Sequence, residues 1–187
     1  MSNKHIIQTV FAGLDESSMQ MSIGQAIRLT LFGTSHGPEV GAIVEGIPSG
    51  IIIDADAIQR AMDKRKPGGK YSSKRKESDI VEILSGVENG MTNGKLCKIR
   101  IANNDVKSSD YSFLPHHPRP GHGDLLMHIK TEGKADFRGG GTSSARLTAP
   151  IVAVAAILAP LFNKIGVKIE AHVSSIGTIN AQDLQSC

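Results

Sequence analysis

Apolar and polar residues alternate along five short stretches of this chain, and this two-residue period predicts β-strands. The predicted strands are residues 27–32, 41–44, 81–87, 96–101 and 167–176. The first two are expected to be neighbours joined by a tight turn. Between the third and the fourth, Asn-Gly pairs occur at 89–90 and at 93–94. Such pairs are typical of hairpins, so these two strands are expected to be neighbours as well.

Three other stretches have the spacing of apolar residues that is typical of helices. Asp54 is placed to cap a helix over residues 55–66, which the following proline would end. A second helix is predicted over residues 125–132. The third, residues 144–164, is apolar on nearly all sides, which predicts a helix buried on both flanks.

Composition favours a soluble globular chain and excludes several other classes. Hydrophobic residues make up 40% of the 187 positions, and 21 basic against 18 acidic residues give a net charge of +3. This charge gives no support to a general nucleic-acid coat, and tryptophan, which could stack on bases, is absent. Two cysteines do not make a disulfide framework. The apolar stretch at 147–162 contains two prolines and is too short to span a membrane comfortably.

The most informative motif is Arg-Gly-Gly-Gly-Thr-Ser-Ser-Ala-Arg at positions 138–146. Consecutive glycines let a backbone approach a ligand closely and adopt dihedrals that a Cβ would forbid. Ser143 and Ser144 are good capping residues for the helix that follows, and Arg138 and Arg146 add two permanent cations. Together these parts predict an anion site for phosphate or carboxylate. The alternative is a flexible surface loop before a buried helix.

Two histidines lie in glycine-rich turns. Gly-Thr-Ser-His-Gly occupies positions 33–37 after the first predicted strand, and Arg-Pro-Gly-His-Gly-Asp occupies positions 119–124 before the second predicted helix. Histidine can give or take a proton near neutral pH, so His36 and His122 are candidates for acid–base chemistry. A lone histidine is more often structural, but two of them in a chain with an anion loop favour a catalytic site.

Seven basic residues are concentrated between positions 64 and 76, around a Pro-Gly-Gly sequence that predicts a loop. This charge run can be a solvated surface, a nucleic-acid or localisation patch, or a set of cations for an anionic ligand. Cations grouped around one pocket would offset the charge of a multiply anionic ligand and steer it in.

The motifs, in this order, resemble those of chorismate synthases. That family carries Gly-Glu-Ser-His-Gly near its start, then Arg-Pro-Gly-His-Ala-Asp, then Arg-Gly-Gly-Gly-Arg-Ser-Ser-Ala-Arg. The resemblance covers the first half of the family's usual chain. It implies an α/β fold, a sandwich of sheets around buried helices, of which residues 21–187 would be the N-terminal half. Residues 1–20 precede the resemblance, show no convincing signal peptide, and are expected to be a tail or leader.

The reaction that the resemblance implies is an anti-1,4-elimination. 5-Enolpyruvylshikimate 3-phosphate loses phosphate and a ring proton to give chorismate, in the shikimate pathway of aromatic amino-acid biosynthesis. The family requires reduced flavin mononucleotide (FMN) as a transient electron donor and proton acceptor, although the reaction has no net redox change. NADPH is the expected source of electrons for the flavin.

The resemblance also assigns roles to residues. His36 would protonate the leaving phosphate, and His122 would lie beside the reduced flavin and stabilise its protonation state. The residues expected to bind the cofactor are Arg65, Lys70, Thr142, Ser143 and Ser144. Those expected to bind the substrate are Ser35, Arg119 and Arg146. No metal ion is implied.

Partners and location follow from the same resemblance. The expected partners are a small anionic substrate and further copies of the chain (a homotetramer in the family). The family's second half is either missing from a truncated product or supplied by a separate chain. The expected location is the cytoplasm, with neither nucleic acid nor membrane as a partner. Because the family's second half carries further flavin and substrate groups, we expect this chain alone to be an incomplete catalyst. The alternatives are a non-catalytic anion- or nucleotide-binding module and, third, a basic RNA-binding domain.

Overall fold

The structure is a computed structural model that describes residues 21–66, 77–104, 108–114, 116–134, 136 and 138–181. Its strands are β1 (Met21–Ile23), β2 (Arg28–Gly33), β3 (Glu39–Glu45), β4 (Val81–Ser85), β5 (Val87–Glu88), β6 (Met91–Thr92), β7 (Cys97–Ala102), β8 (Ser175–Ile176) and β9 (Ile179–Asn180). Its α-helices are α1 (Ala55–Arg65), α2 (Asp124–Lys130) and α3 (Thr148–Lys164). Short 3₁₀ turns occur at Ser108–Tyr111, Arg138–Ser143 and Ala145–Leu147.

Five strands form an antiparallel sheet in the order β1-β2-β3-β7-β4. β2 and β3 are joined by the first histidine turn, and β4 and β7 are joined through the small hairpin β5–β6. Both predicted pairs of neighbouring strands are therefore confirmed. They could be predicted because the turn residues in each connection are visible in the sequence: the glycine-flanked histidine turn in the first, and the two Asn-Gly pairs in the second.

The core lies between one face of this sheet and α3. Alternate residues of the two central strands face it and are almost completely buried: Val40, Ala42, Val44, Cys97, Ile99 and Ile101. α1 packs against α3 and contributes Ile58 and Met62 to the same core. The two-residue period of a strand places these side chains on one face, which is why the alternation in sequence identifies them.

The opposite face of the sheet carries charged side chains. Arg100 donates to Glu82 at 2.8 and 3.1 Å, and lies 3.5 Å from Glu39. On the same face, Lys98 Nζ lies 5.2 Å from the centroid of the Phe32 ring. In the described part of the chain, the sheet is therefore apolar towards the helices and largely polar on its other side. The mixture of sheet and helices confirms the predicted α/β class.

α1 begins and ends where the local signals predict. Asp54 caps it, and its Oδ1 accepts a hydrogen bond from the backbone N–H of Ala57 at 2.9 Å. Lys66, at the C-terminal end, is extended with φ −61° and ψ 140°. A residue before a proline prefers this conformation, so the helix ends there.

Several elements end one or two residues before their predicted bounds, since α1 ends at Arg65, α2 at Lys130 and β4 at Ser85. Two elements differ more. The third helix does not begin at residue 144, because the 3₁₀ turn Ala145–Leu147 precedes the α-helix that starts at Thr148. The strand predicted over residues 167–176 is wrong: only Ser175–Ile176 pairs, with Ile179–Asn180, and residues 167–174 are exposed. A strand is stabilised by pairing with a neighbour, and no described strand lies beside residues 167–174.

By length and composition, residues 138–164, which comprise two 3₁₀ turns and α3, are apolar enough to cross a membrane. One side of α3 is nevertheless built into the core, with buried residues Ala149, Pro150, Ala153, Val154, Ile157 and Leu158. The burial of this side therefore accounts for much of the apolar character of α3. The other side is not covered by the described residues, since Ile151 is 43% exposed. The described residues thus cover one flank of α3, and the predicted covering of its other flank stays a prediction.

Candidate functional site

Two of the predicted motifs lie against each other. The His36 turn (residues 33–37) follows β2 and is closed by a hydrogen bond from Gly37 N–H to the carbonyl of Thr34, at 3.2 Å. The N–H of Ser35 donates to the carbonyl of Gly141, also at 3.2 Å. This bond joins the turn to the glycine loop (residues 138–146). The structure thus brings together the histidine and the anion loop, which are about a hundred residues apart in sequence.

Gly139 is the point of closest approach between the two motifs. A Cβ at this position would lie 2.5 Å from Cδ2 and 2.6 Å from Nε2 of His36, and 3.0 Å from Oγ of Ser35. The φ angles are +61° at Gly139, +94° at Gly140 and +55° at Gly141. Glycine adopts such left-handed conformations without strain. The absence of a side chain at Gly139 therefore allows the imidazole to lie directly on the backbone of the loop.

Three hydroxyl residues follow the glycines. Thr142 is buried, Ser144 is half-buried and Ser143 is exposed. Oγ of Ser144 accepts from the N–H of Arg146 at 3.3 Å and so caps the 3₁₀ turn at 145–147. The predicted capping role is confirmed for Ser144, whereas Ser143 caps no described helix. Side-chain hydroxyls and a glycine backbone are the kind of donors that bind phosphate oxygens.

Arg138 is held by a carboxylate of its own chain. Its Nε and Nη2 donate to the two oxygens of Asp136 at 2.7 and 2.8 Å, and Oγ1 of Thr34 donates to the same carboxylate at 3.4 Å. Burial raises the pKa of Asp136, but the hydrogen bonds from Arg138 outweigh it, so the pKa lies below its usual value. The ionised Asp136 therefore ties the glycine loop to the His36 turn a second time.

Tyr111 lies between His36 and the second histidine turn. Its ring centroid is 4.7 Å from that of His36 with an interplanar angle of 74°, which is an edge-to-face contact. Cζ of Arg119 lies 5.3 Å from the centroid of the Tyr111 ring, within the range of a cation–π contact. Tyr111 belongs to none of the sequence motifs, and sequence reasoning missed it.

The second histidine turn (residues 119–124) is organised by Asp124. Arg119 donates to both of its carboxylate oxygens at 2.7 Å, and the N–H of Arg119 adds a bond at 3.0 Å. These hydrogen bonds hold the pKa of Asp124 below its usual value and raise the pKa of Arg119. His122 is exposed, with Nδ1 3.3 Å from the carbonyl oxygen of Pro120. The imidazole of His122 is thus presented at the surface by a rigid turn.

A buried ion cluster connects the glycine loop to the end of α1. Asp79, 1% exposed, accepts from Nη1 of Arg65 at 2.5 Å and from Nη1 of Arg146. The Nε of Arg146 donates to Oδ1 of Asn103 at 2.8 Å, and its Nη2 donates to the carbonyl of Ala102 at 3.1 Å. Arg146 is only 6% exposed. All three nitrogens of its guanidinium are therefore bonded within the chain.

Asn103 extends this cluster to the His36 turn. Its Nδ2 donates to the carbonyls of Thr34 at 3.0 Å and Gly37 at 2.8 Å, while its Oδ1 accepts from Arg146. The position of the turn is thus coupled to the buried cluster. Neither Asn103 nor Asp79 lies in a recognisable motif, and their partners are distant in sequence. Sequence reasoning missed both for that reason.

The predicted site residues fall into three groups. The first, at the junction of the two motifs, is Ser35, His36, Thr142, Ser143 and Ser144. The second is Arg119, which contacts Tyr111, and His122, which is exposed in the same turn. The third, paired with Asp79, is Arg65 and Arg146. Lys70 lies outside the described residues, and their ligand-binding roles all stay predictions. No metal-binding group of three His, Cys, Asp or Glu residues occurs among the residues that the structure describes.

Replacing Gly139 by alanine is expected to displace the His36 ring, because the added Cβ would lie inside van der Waals contact with Cδ2 and Nε2. Overpacking of this kind typically costs about 1–3 kcal/mol, in addition to strain from the positive φ. Chemical denaturation measures the cost, and NMR of the imidazole signals measures the displacement.

Gly90 offers a matched control for this substitution. It has a positive φ of +75°, but a Cβ there would meet no atom within 4 Å. Gly90→Ala should therefore report strain alone and leave His36 unmoved. Equal costs for the two variants, with unchanged His36 signals in both, would show that the contact at Gly139 is unimportant.

Comparison with known proteins agrees with the motifs. A family model described as chorismate synthase matches residues 27–187. The chorismate synthase of Aeropyrum pernix is 45% identical over 161 residues, which are 86% of this chain and 42% of the relative. That of Aliarcobacter butzleri is 46% identical over 163 residues, which are 87% of this chain and 45% of the relative. The chain therefore spans less than half the length of these curated relatives.

A solved structure supports the same comparison. A crystal structure of chorismate synthase is similar over 84% of this chain and 40% of that chain, with 29% sequence identity. The TM-score is 0.60, which shows a shared fold. The similarity thus extends from the sequence motifs to the arrangement of sheet and helices.

Proposed function

This chain belongs to the chorismate synthase family, and we propose that it provides the first half of a site that converts 5-enolpyruvylshikimate 3-phosphate to chorismate. The observation that carries the proposal is the contact of His36 with Gly139. It places an imidazole, the side chain best suited to proton transfer near neutral pH, on a loop with the features of an anion site. A phosphate bound at this loop would lie within reach of the imidazole.

The proposed reaction is an elimination that breaks a carbon–oxygen bond. The C–O bond to phosphate and a C–H bond of the ring break, and a ring double bond forms, with no net redox change. His36 gives its proton to the leaving phosphate, and such positioned proton transfer is typically worth about 10²–10⁴-fold in rate. Ser35 and Arg119 are proposed to contact the substrate. Arg146 was predicted to do so as well, but each nitrogen of its buried guanidinium already donates a hydrogen bond within the chain, which supports a positioning role.

The hydroxyl residues after the glycines are proposed to bind FMN, whereas the leaving phosphate of the substrate would lie beside Gly139 and His36. Thr142, Ser143 and Ser144 offer hydroxyls, and the glycines before them present backbone without side chains. We propose that these hydroxyls hold the cofactor together with Arg65 and Lys70, and that His122 lies beside its ring system. The chemistry that reduced FMN supplies when bound is transient electron donation and acceptance of the ring proton, with NADPH as the proposed source of electrons.

The proposed active assembly is a cytoplasmic homotetramer in which a second-half segment closes the site. Two surfaces support this part of the proposal. Ile151 on α3 is 43% exposed, and the segment beyond α3 exposes Ile169 at 76% and Ile176 at 72%. Large apolar side chains that are left exposed are typical of interaction surfaces.

An anaerobic assay with reduced FMN and 5-enolpyruvylshikimate 3-phosphate tests the function. We expect the 187-residue polypeptide alone to release no phosphate, because a half-built site leaves ligands solvated and lacks preorganised groups on one side. Adding the remaining part of the Aeropyrum pernix relative as a second chain should restore chorismate formation.

The matched control is the Aeropyrum pernix enzyme divided at the equivalent position. If its two parts restore activity and the mixture with this chain does not, the proposed function is wrong. FMN binding that is unaffected by substrate would then favour the non-catalytic anion- or nucleotide-binding module. Salt-dependent binding of polynucleotide would instead favour an RNA-binding domain.

A further inference from the structure

We propose that Tyr111 is a positioning residue that fixes the orientation of the His36 imidazole. The role in turnover rests on the proposed function, whereas the contact itself does not. The two ring centroids are 4.7 Å apart and the planes are inclined at 74°. Aromatic rings in this edge-to-face arrangement attract each other through their quadrupoles, so the contact favours one inclination of the imidazole.

The backbone of the turn does not by itself determine the orientation of the imidazole. The terminal torsion of histidine is broad and roughly two-fold, so a turn that fixes Cα of His36 leaves open where Nδ1 and Nε2 point. Gly139 limits the ring on the side of Cδ2 and Nε2. Tyr111 is the ring that contacts the imidazole from the 3₁₀ turn Ser108–Tyr111. Together the two contacts can define a single orientation.

Tyr111 is itself held in place by the second histidine turn. The guanidinium of Arg119 lies over its ring at 5.3 Å, and this guanidinium is bonded at 2.7 Å to both oxygens of Asp124. Asp124 is 2% exposed at the start of α2, and therefore provides a fixed anchor. A continuous series of contacts thus runs from Asp124 through Arg119 and Tyr111 to His36. It makes the orientation of one histidine depend on the turn that carries the other.

NMR of the histidine side chains tests this arrangement without any assay of turnover. The His36 ring signals are assigned by their loss in His36→Gln. In Tyr111→Leu, which removes the ring current and the contact, the His36 ring-proton shifts should move towards those of a free imidazole. Tyr111→Phe keeps the ring and should keep the shifts. The matched control is Phe113→Leu. It removes the other aromatic ring beside Tyr111, whose centroid is 6.4 Å from that of Tyr111, but leaves in place the ring that contacts His36.

Arg119→Met is a second probe, in which Tyr111 is intact but loses its cation, and it should also move the His36 signals. If Tyr111→Leu does not fold, this variant and Tyr111→Phe still decide the question. The proposal is overturned if His36 signals stay unchanged in Arg119→Met and Tyr111→Leu, or if they move as far in Tyr111→Phe or Phe113→Leu.

Kinetics of the reconstituted enzyme add a second readout. A misplaced reacting group can cost about 10²-fold in rate, so kcat should fall by up to that factor in Tyr111→Leu with little change in KM, and Tyr111→Phe should restore it. A rise in KM with an unchanged kcat would contradict the positioning role. If His36 signals respond as expected but His36 proves dispensable for turnover, the positioning role stands and the proposed function fails.

Discussion

Replacing Asp79 by asparagine is expected to lower the free energy of unfolding by about 3–5 kcal/mol, the usual cost of removing one partner from a buried ion pair. Asp79 is 1% exposed and accepts from both Arg65 and Arg146. Its loss would leave two guanidinium groups without their shared counterion, one of them in a side chain that is 4% exposed. Urea denaturation followed by circular dichroism measures the change.

Asparagine is the informative replacement because of the backbone at this position. Asp79 has φ +51°, a left-handed conformation that asparagine tolerates better than most residues. Asp79→Asn therefore removes the charge with little added strain. The control is Glu82→Gln, which breaks the exposed pair with Arg100 and should have little effect, since exposed ion pairs contribute little. Similar stability of both variants and the unsubstituted chain would show that the buried cluster is not needed for folding.

The same buried cluster shows where sequence reasoning stops. The strands at 27–32 and 96–101 and the cap at Asp54 could be predicted because the sequence signal for each lies within a few positions of it. Asp79 could not, since one of its partners is Arg146, 67 positions away. The strand expected at 167–176 fails for a related reason: alternation describes a strand's two faces, but the strand forms only where another strand pairs with it.

The arginines show the same limit at the candidate site. Counted along the sequence, Arg65, Arg119, Arg138 and Arg146 are cations available to an anionic ligand. In the structure, each is bonded to an aspartate. Two of these partners, Asp124 and Asp136, lie five and two positions from their arginines, so the pairing was visible in principle. The cations predicted from the sequence are therefore partly neutralised within the chain.

Replacing His36 by alanine is expected to reduce phosphate release by the reconstituted enzyme by about 10²–10⁴-fold, the usual contribution of a positioned proton donor. Removing the imidazole takes away the group that lies on the glycine loop, yet leaves intact the backbone bond from Ser35 to Gly141 that joins the two motifs. We therefore expect the fold to persist and FMN binding to change little. His122→Ala should also abolish most turnover, but through a different step, because His122 lies in the other turn.

The comparison that isolates the chemistry uses His172→Ala. His172 is exposed in the segment after α3, outside both histidine turns, and its replacement should leave phosphate release unchanged. Far-ultraviolet circular dichroism and FMN titration of each variant separate a folding or binding defect from a catalytic one. If His36→Ala is folded, binds FMN normally and still releases phosphate at a near-normal rate, then the contact of the imidazole with Gly139 is structural. The proton for the leaving phosphate must in that case come from another group.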